Sequence, residues 1–476
     1  MENNACLTLK RVCVDEGMLV LFNNDSQLTP QNPYGSSRMD VQAGQWNFPS
    51  RGGANSDALV GHMRKHFIPT RRASRLESNP ALVNPVFSNC TLPVFILQDW
   101  PYNMGEVLAR LAAMVDVLFE QQGLADHRAT LVLATPMGLG LTPYHLAFLE
   151  PHSLHAVVSL DAMSSRPHAA ALHPALVAWS DEGHVSCFET AVYCMLEGRV
   201  QDVVHTARTL LKHMLPLLPP DPLGFGSAGE GRPLPPLAED TTLRVVLEAR
   251  SGPARSFKNL DEIVRACSEA NQRGFVAGRF RGIACRVLHT ADTPELHGLR
   301  RFHASVAAVR SAHLLVAIHG AGAANCAFME EGGIAGLLEI RPCRLGTFIC
   351  FWPDGHMAGQ LAKANHTVRM FAYNVEDPAQ CLPSDYEAEE LAHPRDFRKR
   401  KDLNVRMRDQ HVVLNPRQFM AYLTHVAALL SDKSAYHEAL RADRVHGYPL
   451  AEGLALGALC VKNKTRLEAA ADRSIK

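Results

Sequence analysis

The stretch that most limits the fold of this chain runs from residue 313 to residue 322. An apolar segment, Leu-Leu-Val-Ala-Ile, ends abruptly in His-Gly-Ala-Gly, which begins at His319. A segment compatible with a helix follows at residues 323–331, and a second apolar run comes at residues 337–340 after a Gly-Gly pair. This order of strand, glycine turn, helix and strand predicts a βαβ unit, in which ligands bind at the carboxyl ends of parallel strands.

The glycine turn favours an anionic ligand. Gly320 and Gly322 let the backbone turn sharply and approach a ligand where a Cβ atom would block it. The N–H groups of Gly320, Ala321 and Gly322 would stand at the start of the next helix, where a diphosphate is stabilised. His319 has two interpretations: it contacts the phosphate or the sugar, or it is a buried turn histidine bonded to the backbone.

Composition excludes several classes of protein. With 476 residues the chain can form two or three domains, and its 47% apolar and 20% charged residues are typical of a soluble globular protein. Lys and Arg number 48, as do Asp and Glu, so no basic excess indicates nucleic acid or an anionic membrane. The 23 histidines show no metal-site spacing, and the 12 cysteines include no Cys-x-x-Cys pair, so no metal site is predicted.

Changes in pattern divide the chain into five parts. Residues 1–90 are predicted to be irregular, with short strand-like pieces. Two alternations of strands and helices, at residues 91–214 and 241–400, each predict a Rossmann-like domain. Residues 215–240 are rich in Pro and Gly and predict a linker, whereas residues 401–476 predict C-terminal helices and a tail.

Two arginines are placed to bind one anion. Arg250 follows a predicted strand, and Arg255 lies five residues further on in a turn. A guanidinium group matches the geometry of a phosphate, so the pair is suited to clamp a diphosphate; the alternative is that both lie on a solvated loop. Asn259 and Glu262 have the spacing of a capping box, which we interpret as structural.

The order of these motifs resembles the family 61 glycosyltransferases. The matching segments are Arg-Ser-Gly-x-x-Arg from Arg250, Asn-Leu-x-Glu from Asn259, His-Gly-Ala-Gly from His319, Asn-x-x-Phe-Met from Asn325 and Glu-Ile-x-Pro from Glu339. Upstream, Cys187 begins a segment similar to the Cys-Phe-x-x-Ala-Val block of that family, and Asn103 begins Asn-Met-Gly-Glu where many members carry Asn-x-x-His. The likeness is firm between residues 185 and 345 and thinner outside them.

The resemblance implies a GT-B fold, in which two Rossmann-like domains face a cleft, and transfer of a sugar from a UDP-sugar with inversion. It implies that Arg250, Arg255 and the turn at residues 319–322 bind the donor diphosphate without a metal. The sequence contains no Asp-x-Asp motif, which holds the metal-diphosphate group in the other main glycosyltransferase fold. Glu339, at a strand end beside the turn, either binds ribose hydroxyls or is a structural carboxylate with its bonds satisfied.

Inversion needs a base that takes the proton of the acceptor hydroxyl. Glu106 stands where relatives place a histidine, so it is one interpretation of the base, and His319 is a second candidate catalytic residue. The alternative is that Asn103 and Glu106 form a capping box for the helix that follows.

The implied partners are a UDP-sugar donor and a glycan or glycoprotein acceptor, with no other cofactor. Members of the family work in the lumen of the Golgi or the endoplasmic reticulum, usually behind an N-terminal anchor. This chain shows no signal peptide or anchor, which we explain by a truncated N-terminus. Four Asn-x-Ser/Thr sequons mildly favour the secretory pathway.

The sequence also bears on three other functions. An esterase is excluded because no Gly-x-Ser-x-Gly elbow occurs, and a dehydrogenase is disfavoured because no Gly-x-Gly-x-x-Gly follows an N-terminal strand. The serious alternative is a catalytically inactive, glycosyltransferase-like protein that binds a glycan or another protein. The glutamate at residue 106 favours that alternative, and the arginine pair counts against it.

Overall fold

The chain divides into two compact units, residues 1–210 and residues 211–476, in the computed structural model. The structure describes residues 5–22, 70–73, 79–97, 103–112, 115, 129–134, 140–153, 155–164, 186–195, 202–226, 234–250, 252–331, 334–345, 367–375, 377–385, 388, 408–450 and 453–457. Each unit is a sheet of mainly parallel strands with helices, so the predicted mixed α/β fold is confirmed at this level.

The first unit contains one seven-stranded sheet in the order β3-β2-β1-β7-β4-β5-β6. Its strands are β1 (Ala5–Asp15), β2 (Met18–Leu21), β3 (Thr70–Arg72), β4 (Leu92–Leu97), β5 (Ala129–Leu133), β6 (Val158–Ser159) and β7 (Ser186–Met195). Its helices are α1 (Met104–Glu106), which runs into a π-helical turn (Val107–Ala112), α2 (Pro143–Leu149), α3 (Leu160–Met163) and the first part of α4 (Asp202–Met214), with 3₁₀ turns at Pro80–Leu82 and Glu150–His152. The last turn of α4 and the 3₁₀ turn Leu215–Leu217 belong to the second unit. Strands β7, β4, β5 and β6 are parallel to one another.

The sequence predicts an irregular region before residue 91 with short strand-like pieces such as residues 18–22, which correspond to β2, but it does not predict the 11-residue strand β1 or strand β3. Strand β1 pairs antiparallel with β7 from Ala5–Met195 to Val14–Ser186, and β2 and β3 extend the same sheet. A disulfide between Cys13 and Cys187 joins β1 to β7. The partners are about 180 residues apart in the chain, so no local pattern indicates this pairing.

The second unit also contains a seven-stranded sheet, in the order β16-β15-β12-β11-β10-β8-β9. Its strands are β8 (Thr242–Ala249), β9 (Gly282–His289), β10 (Leu314–Ile318), β11 (Gly336–Arg341), β12 (Arg369–Asn374), β15 (His446–Leu450) and β16 (Gly453–Leu456), with a separate pair β13 (Cys381–Leu382) and β14 (His411–Val412). Its helices are α5 (Leu260–Gln272), α6 (Gly298–Arg310), α7 (Pro416–Ser431) and α8 (Lys433–Arg441), with 3₁₀ helices at Ala321–Phe328 and Pro378–Gln380. Every neighbouring pair in the large sheet is parallel except β15 and β16.

Buried strands explain why this sheet forms. Every residue of β10 and β11 is buried, which fits the continuous apolar runs that parallel strands covered on both faces require. Helix α7 starts at Pro416, after the cap residue Asn415, whose side chain accepts a hydrogen bond from the N–H of Gln418 at 3.2 Å. Its apolar face packs on the same core through residues such as Phe419 and Tyr422.

The C-terminal part is not only helices and a tail, as the sequence led us to expect. Strand β15 pairs with β12, and β16 pairs antiparallel with β15, so both extend the sheet. Their short segments, which contain Gly447, Pro449 and Gly453, carry too weak a pattern to predict strands, because Gly and Pro are depleted in strands.

The end of the predicted linker is fixed to the second unit. Arg244 of β8 donates to a carboxylate oxygen of Asp240 at 2.6 Å and to the carbonyl of Pro235 at 2.6 Å. His313 donates from Nε2 to the carbonyl of Leu237 at 2.9 Å, while its Nδ1 accepts from the N–H of Arg244 at 3.0 Å. Residues 234–240 therefore belong structurally to the second unit rather than to a free connection.

We expect His313 to make the stability of the second unit depend on pH. Burial is the main cause that lowers the pKa of His313 from its ordinary value to about 4. An unfolded histidine titrates near pH 6.5, so protonation favours the unfolded chain as the pH falls from about 6.5 to about 4, and the folded state loses about 3 kcal/mol there. Urea unfolding at pH 7 and pH 4.5 should show a smaller loss in His313→Asn, which does not titrate. Equal losses in the variant and the wild type would contradict the assignment.

Candidate functional site

The order of strands reverses once in the second sheet. Strand β9 lies on one side of β8 and β10 lies on the other, so the chain changes direction between β8 and β10. In open α/β sheets the carboxyl ends of the strands at such a reversal form the ligand crevice. Glu248 and Arg250 stand at the end of β8, and His319 and Gly320 follow the end of β10.

Both arginines lie against the glycine turn. A Cβ atom at Gly320 would be 2.6 Å from Nη1 of Arg250 and 2.8 Å from Nη1 of Arg255. Gly320 also has a φ of +154°, a conformation that side chains rarely adopt, so the position requires glycine for two separate reasons. The structure thus brings together Arg250, Arg255 and the turn, which the sequence treats as one site.

Nη1 of Arg250 is buried and has no hydrogen-bond partner within the described part of the chain. A buried donor without a partner is costly, and one that carries positive charge is best satisfied by an anion. The adjoining residues Ala321 and Gly322 begin the 3₁₀ helix, whose first N–H groups have no acceptors inside the helix. Together these donors suit a phosphate group.

Contacts from a distant segment hold Arg255. The residue has a left-handed backbone, with φ of +57°, and its N–H donates to the carbonyl of Asp409 at 3.3 Å. Its Nε lies 3.4 Å from Oδ1 of Asp409, whose carboxylate is buried. The next residue, Ser256, bonds through both its N–H and its hydroxyl to Nδ1 of His411, at 3.2 Å and 2.6 Å. His411 in turn donates from Nε2 to Asp385 at 3.0 Å. This segment was not part of the predicted site, and no motif in it points there.

Glu248 is a second site residue that the sequence did not single out. Its side chain is only 4% exposed, and a Cβ atom at Gly322 would overlap both of its carboxylate oxygens. Burial raises the pKa of Glu248, and the charges of Arg250 and Arg255 oppose that effect in part. Gly322 must therefore be a glycine because any side chain there would collide with the carboxylate of Glu248, and not because of its backbone conformation. The only sequence signal was an acidic residue near the end of a mainly apolar strand that also contains Arg244.

His319 and Glu339 are bonded to each other inside the fold. Nδ1 of His319 lies 2.7 Å from Oε1 of Glu339, and Nε of Arg341 donates to Oε2 of Glu339 at 2.9 Å. His319 and Glu339 are each 2% exposed, and Arg341 is 1% exposed. Burial raises the pKa of Glu339, but Arg341 and His319 outweigh it and hold the pKa well below the usual range. These contacts favour the structural interpretation of Glu339 over ribose binding, and they place His319 beneath the turn.

The helix after the turn differs from its prediction. It is a 3₁₀ helix that ends at Phe328, and Asn325 lies within it. Asn325 is 5% exposed, and its Oδ1 has no hydrogen-bond partner within the described residues. Phe328 is fully buried, as expected of a core residue. Asn259 also caps differently from the prediction, since its Oδ1 accepts from the N–H of Leu414 at 3.0 Å while its Nδ2 donates to Glu262 at 2.9 Å.

Glu106 belongs to the first unit, in the helix that follows β4. The side chain of Asn103 accepts a hydrogen bond from the N–H of Glu106 at 3.2 Å. Asn103 is thus the N-cap of α1. This contact supports the capping interpretation of Asn103 and leaves the carboxylate of Glu106 without an assigned role.

The described residues include no helix that is long and apolar enough to cross a membrane. They also contain no group of three or more His, Cys, Asp or Glu side chains that could hold a metal ion.

Comparison with known proteins does not place the chain in a family. No protein-family model matches the sequence. No curated protein matches it significantly.

Replacement of Gly320 should disable the site. In Gly320→Ala the new Cβ would overlap both guanidinium groups and the backbone would be strained, so we expect UDP affinity to fall about 100-fold, as loss of charged hydrogen bonds predicts. Isothermal titration with UDP measures the effect. Gly274→Ala is the matched control, because Gly274 has a φ of +81° but no atom within 4 Å of the added Cβ. Equal affinities of both variants for UDP would contradict the placement of the arginines.

Proposed function

We propose that this chain is an inverting, metal-independent glycosyltransferase of the GT-B type that moves a sugar from a UDP-sugar to a hydroxyl of a glycan or glycoprotein. One observation carries the proposal: Arg250, Arg255 and the Gly320 turn converge where the strand order reverses, and Nη1 of Arg250 is buried without a partner. A diphosphate fits such a cluster of fixed donors.

The transfer requires the protein to stabilise the charge on the leaving UDP and to supply a base for the acceptor hydroxyl. The bond between the anomeric carbon and the diphosphate oxygen breaks, so negative charge grows on UDP, and the two guanidinium groups with the turn N–H groups would stabilise it. The acceptor oxygen forms the new bond from the opposite face and gives its proton to a base. Glu106 remains the proposed base, because a carboxylate can take a proton at neutral pH and it stands where the resembled family places histidine.

A second candidate is a binding protein without catalytic activity. The cap contact of Asn103 with Glu106 favours it, because it gives residues 103–106 a role without chemistry. Under this alternative the arginine pair would still bind an anion. Turnover, not binding, therefore separates the two functions.

The compartment is part of the proposal. Three disulfides, Cys13–Cys187, Cys267–Cys285 and Cys343–Cys381, occur among the described residues. Disulfides persist in oxidising compartments and are rare in the cytosol. They support the lumen of the endoplasmic reticulum or the Golgi.

The test is release of UDP from a panel of UDP-sugars by the purified chain, with glycan and glycopeptide acceptors and with EDTA present. Turnover of one donor that survives EDTA supports the proposal, and about a 100-fold loss in Glu106→Gln supports the base. Full activity of Glu106→Gln would remove the base assignment alone. UDP binding without turnover of any donor would favour the binding protein, and neither binding nor turnover would overturn the donor site.

A further inference from the structure

Glu248 is a buried carboxylate whose surroundings do not satisfy it. It stands at the carboxyl end of β8 and is 4% exposed, and its Oε2 has no hydrogen-bond partner among the described residues. A buried carboxylate normally has a counter-ion or several donors, because desolvation without partners costs free energy. The other buried carboxylate at this edge, Glu339, has both: His319 bonds to one oxygen and Arg341 to the other.

Glu248 and Arg250 face the same turn without bonding to each other. Arg250 and Arg255 are near enough for their charges to act on Glu248. Nevertheless, Oε2 of Glu248 and Nη1 of Arg250 are buried, and neither is bonded to any described atom. The arginines lie over Gly320, and the carboxylate lies over Gly322, two residues further on. One turn thus presents an unsatisfied donor and an unsatisfied acceptor side by side.

A ligand that satisfies both must combine two chemistries. It needs an anionic group for Arg250 and a hydrogen-bond donor for Glu248. Inorganic phosphate keeps a P–OH donor at neutral pH, but that donor is part of the same charged group that the carboxylate repels. A nucleoside diphosphate supplies neutral donors through its ribose hydroxyls, and its sugar ester carries hydroxyls on both sides of the diphosphate.

We propose that Glu248 binds hydroxyl groups of the nucleotide sugar beside its diphosphate and makes the site selective for a hydroxylated ligand. The inference rests on the proposed donor site and assigns to Glu248 a role that the sequence offered to Glu339. Two sources share the chemistry: the ribose diol and the hydroxyls of the transferred sugar. The site also depends on Gly322, because a side chain at that position would displace the carboxylate of Glu248.

The test is isothermal titration of the full chain with UDP, 2′-deoxy-UDP, 3′-deoxy-UDP and UDP-N-acetylglucosamine. If Glu248 binds the ribose, the wild type should bind UDP about 10- to 100-fold more tightly than one deoxy analogue, because a hydrogen bond to a charged group is lost. Glu248→Ala should bind UDP and that analogue equally. If Glu248 binds the sugar, the deoxy analogues should match UDP, and Glu248→Ala should weaken UDP-N-acetylglucosamine but not UDP.

Two further variants serve as a conservative substitution and as a control. Glu248→Gln preserves the shape and still accepts a hydrogen bond, so its selectivity should fall between those of the wild type and Glu248→Ala. Glu269→Ala is the control, because that carboxylate is half exposed on α5. Equal weakening of all four ligands in Glu248→Ala, or no change in any of them, would overturn the inference and leave the donor site standing. Failure of the wild type to bind UDP would overturn both.

Discussion

Arg250→Ala should lower the affinity for UDP by about 10- to 100-fold, because a hydrogen bond to a charged group is lost. It should lower the kcat/KM for the donor by about 100- to 1,000-fold, the loss typical when one donor to a developing negative charge is removed. Nη1 of Arg250 is buried over Gly320 and has no hydrogen-bond partner among the described residues. Its removal therefore breaks no hydrogen bond with those residues, and the expected loss is that of the contact with the ligand. Arg250→Lys keeps the charge but not the planar fork, so we expect it to recover only part of the affinity.

The control for this experiment is Arg273→Ala. That guanidinium is 72% exposed on the helix that follows the site, and its partner is Glu269 at 3.7 Å. Its removal should leave UDP affinity within about twofold of the wild type, because exposed ion pairs contribute little. An Arg250→Ala protein that is folded and binds UDP as well as Arg273→Ala does would refute the diphosphate site.

Glu339→Gln should destabilise the second unit by about 3 kcal/mol, because the substitution takes the ionised partner from the fully buried Arg341. It also replaces the acceptor of the 2.7 Å hydrogen bond with His319. Urea unfolding at pH 7, followed by circular dichroism, measures the change in the free energy of unfolding.

The matched control is Glu269→Gln, which removes a half-exposed carboxylate from a surface pair and should cost less than about 0.5 kcal/mol. If Glu339→Gln were as stable as this control and lost only UDP affinity, the carboxylate would be a ligand group. In that case the ribose-binding interpretation of Glu339 would return.

Local patterns predicted the second unit well where strands are fully buried. The apolar runs of β8, β10 and β11 are visible within a few residues of sequence. Among the strands that the sequence did not predict, β1 is held by a partner far along the chain, and β15 and β16 contain Gly and Pro. Pairing across such distances leaves no periodic signal.

The candidate site likewise contains residues that the sequence predicts and residues that it does not. Strand ends and glycines point to Arg250, Arg255 and Gly320, because the geometry of parallel sheets makes those positions converge. Glu248 lies in a mainly apolar strand without a recognisable motif, and only the folded structure shows that Gly322 leaves space for it. Asp409 and His411 belong to a segment without a motif, so their support of Arg255 is a property of the tertiary fold.

The support of Arg255 also bears on how the protein is made. Arg255 leaves the ribosome about 150 residues before Asp409 and His411, which is roughly 10 to 30 seconds at ordinary rates of synthesis. Strands β15 and β16 emerge later still. During that interval the two arginines are present on the nascent chain without the segment that fixes one of them, so the support of Arg255 is complete only after residues 409–411 have been synthesised.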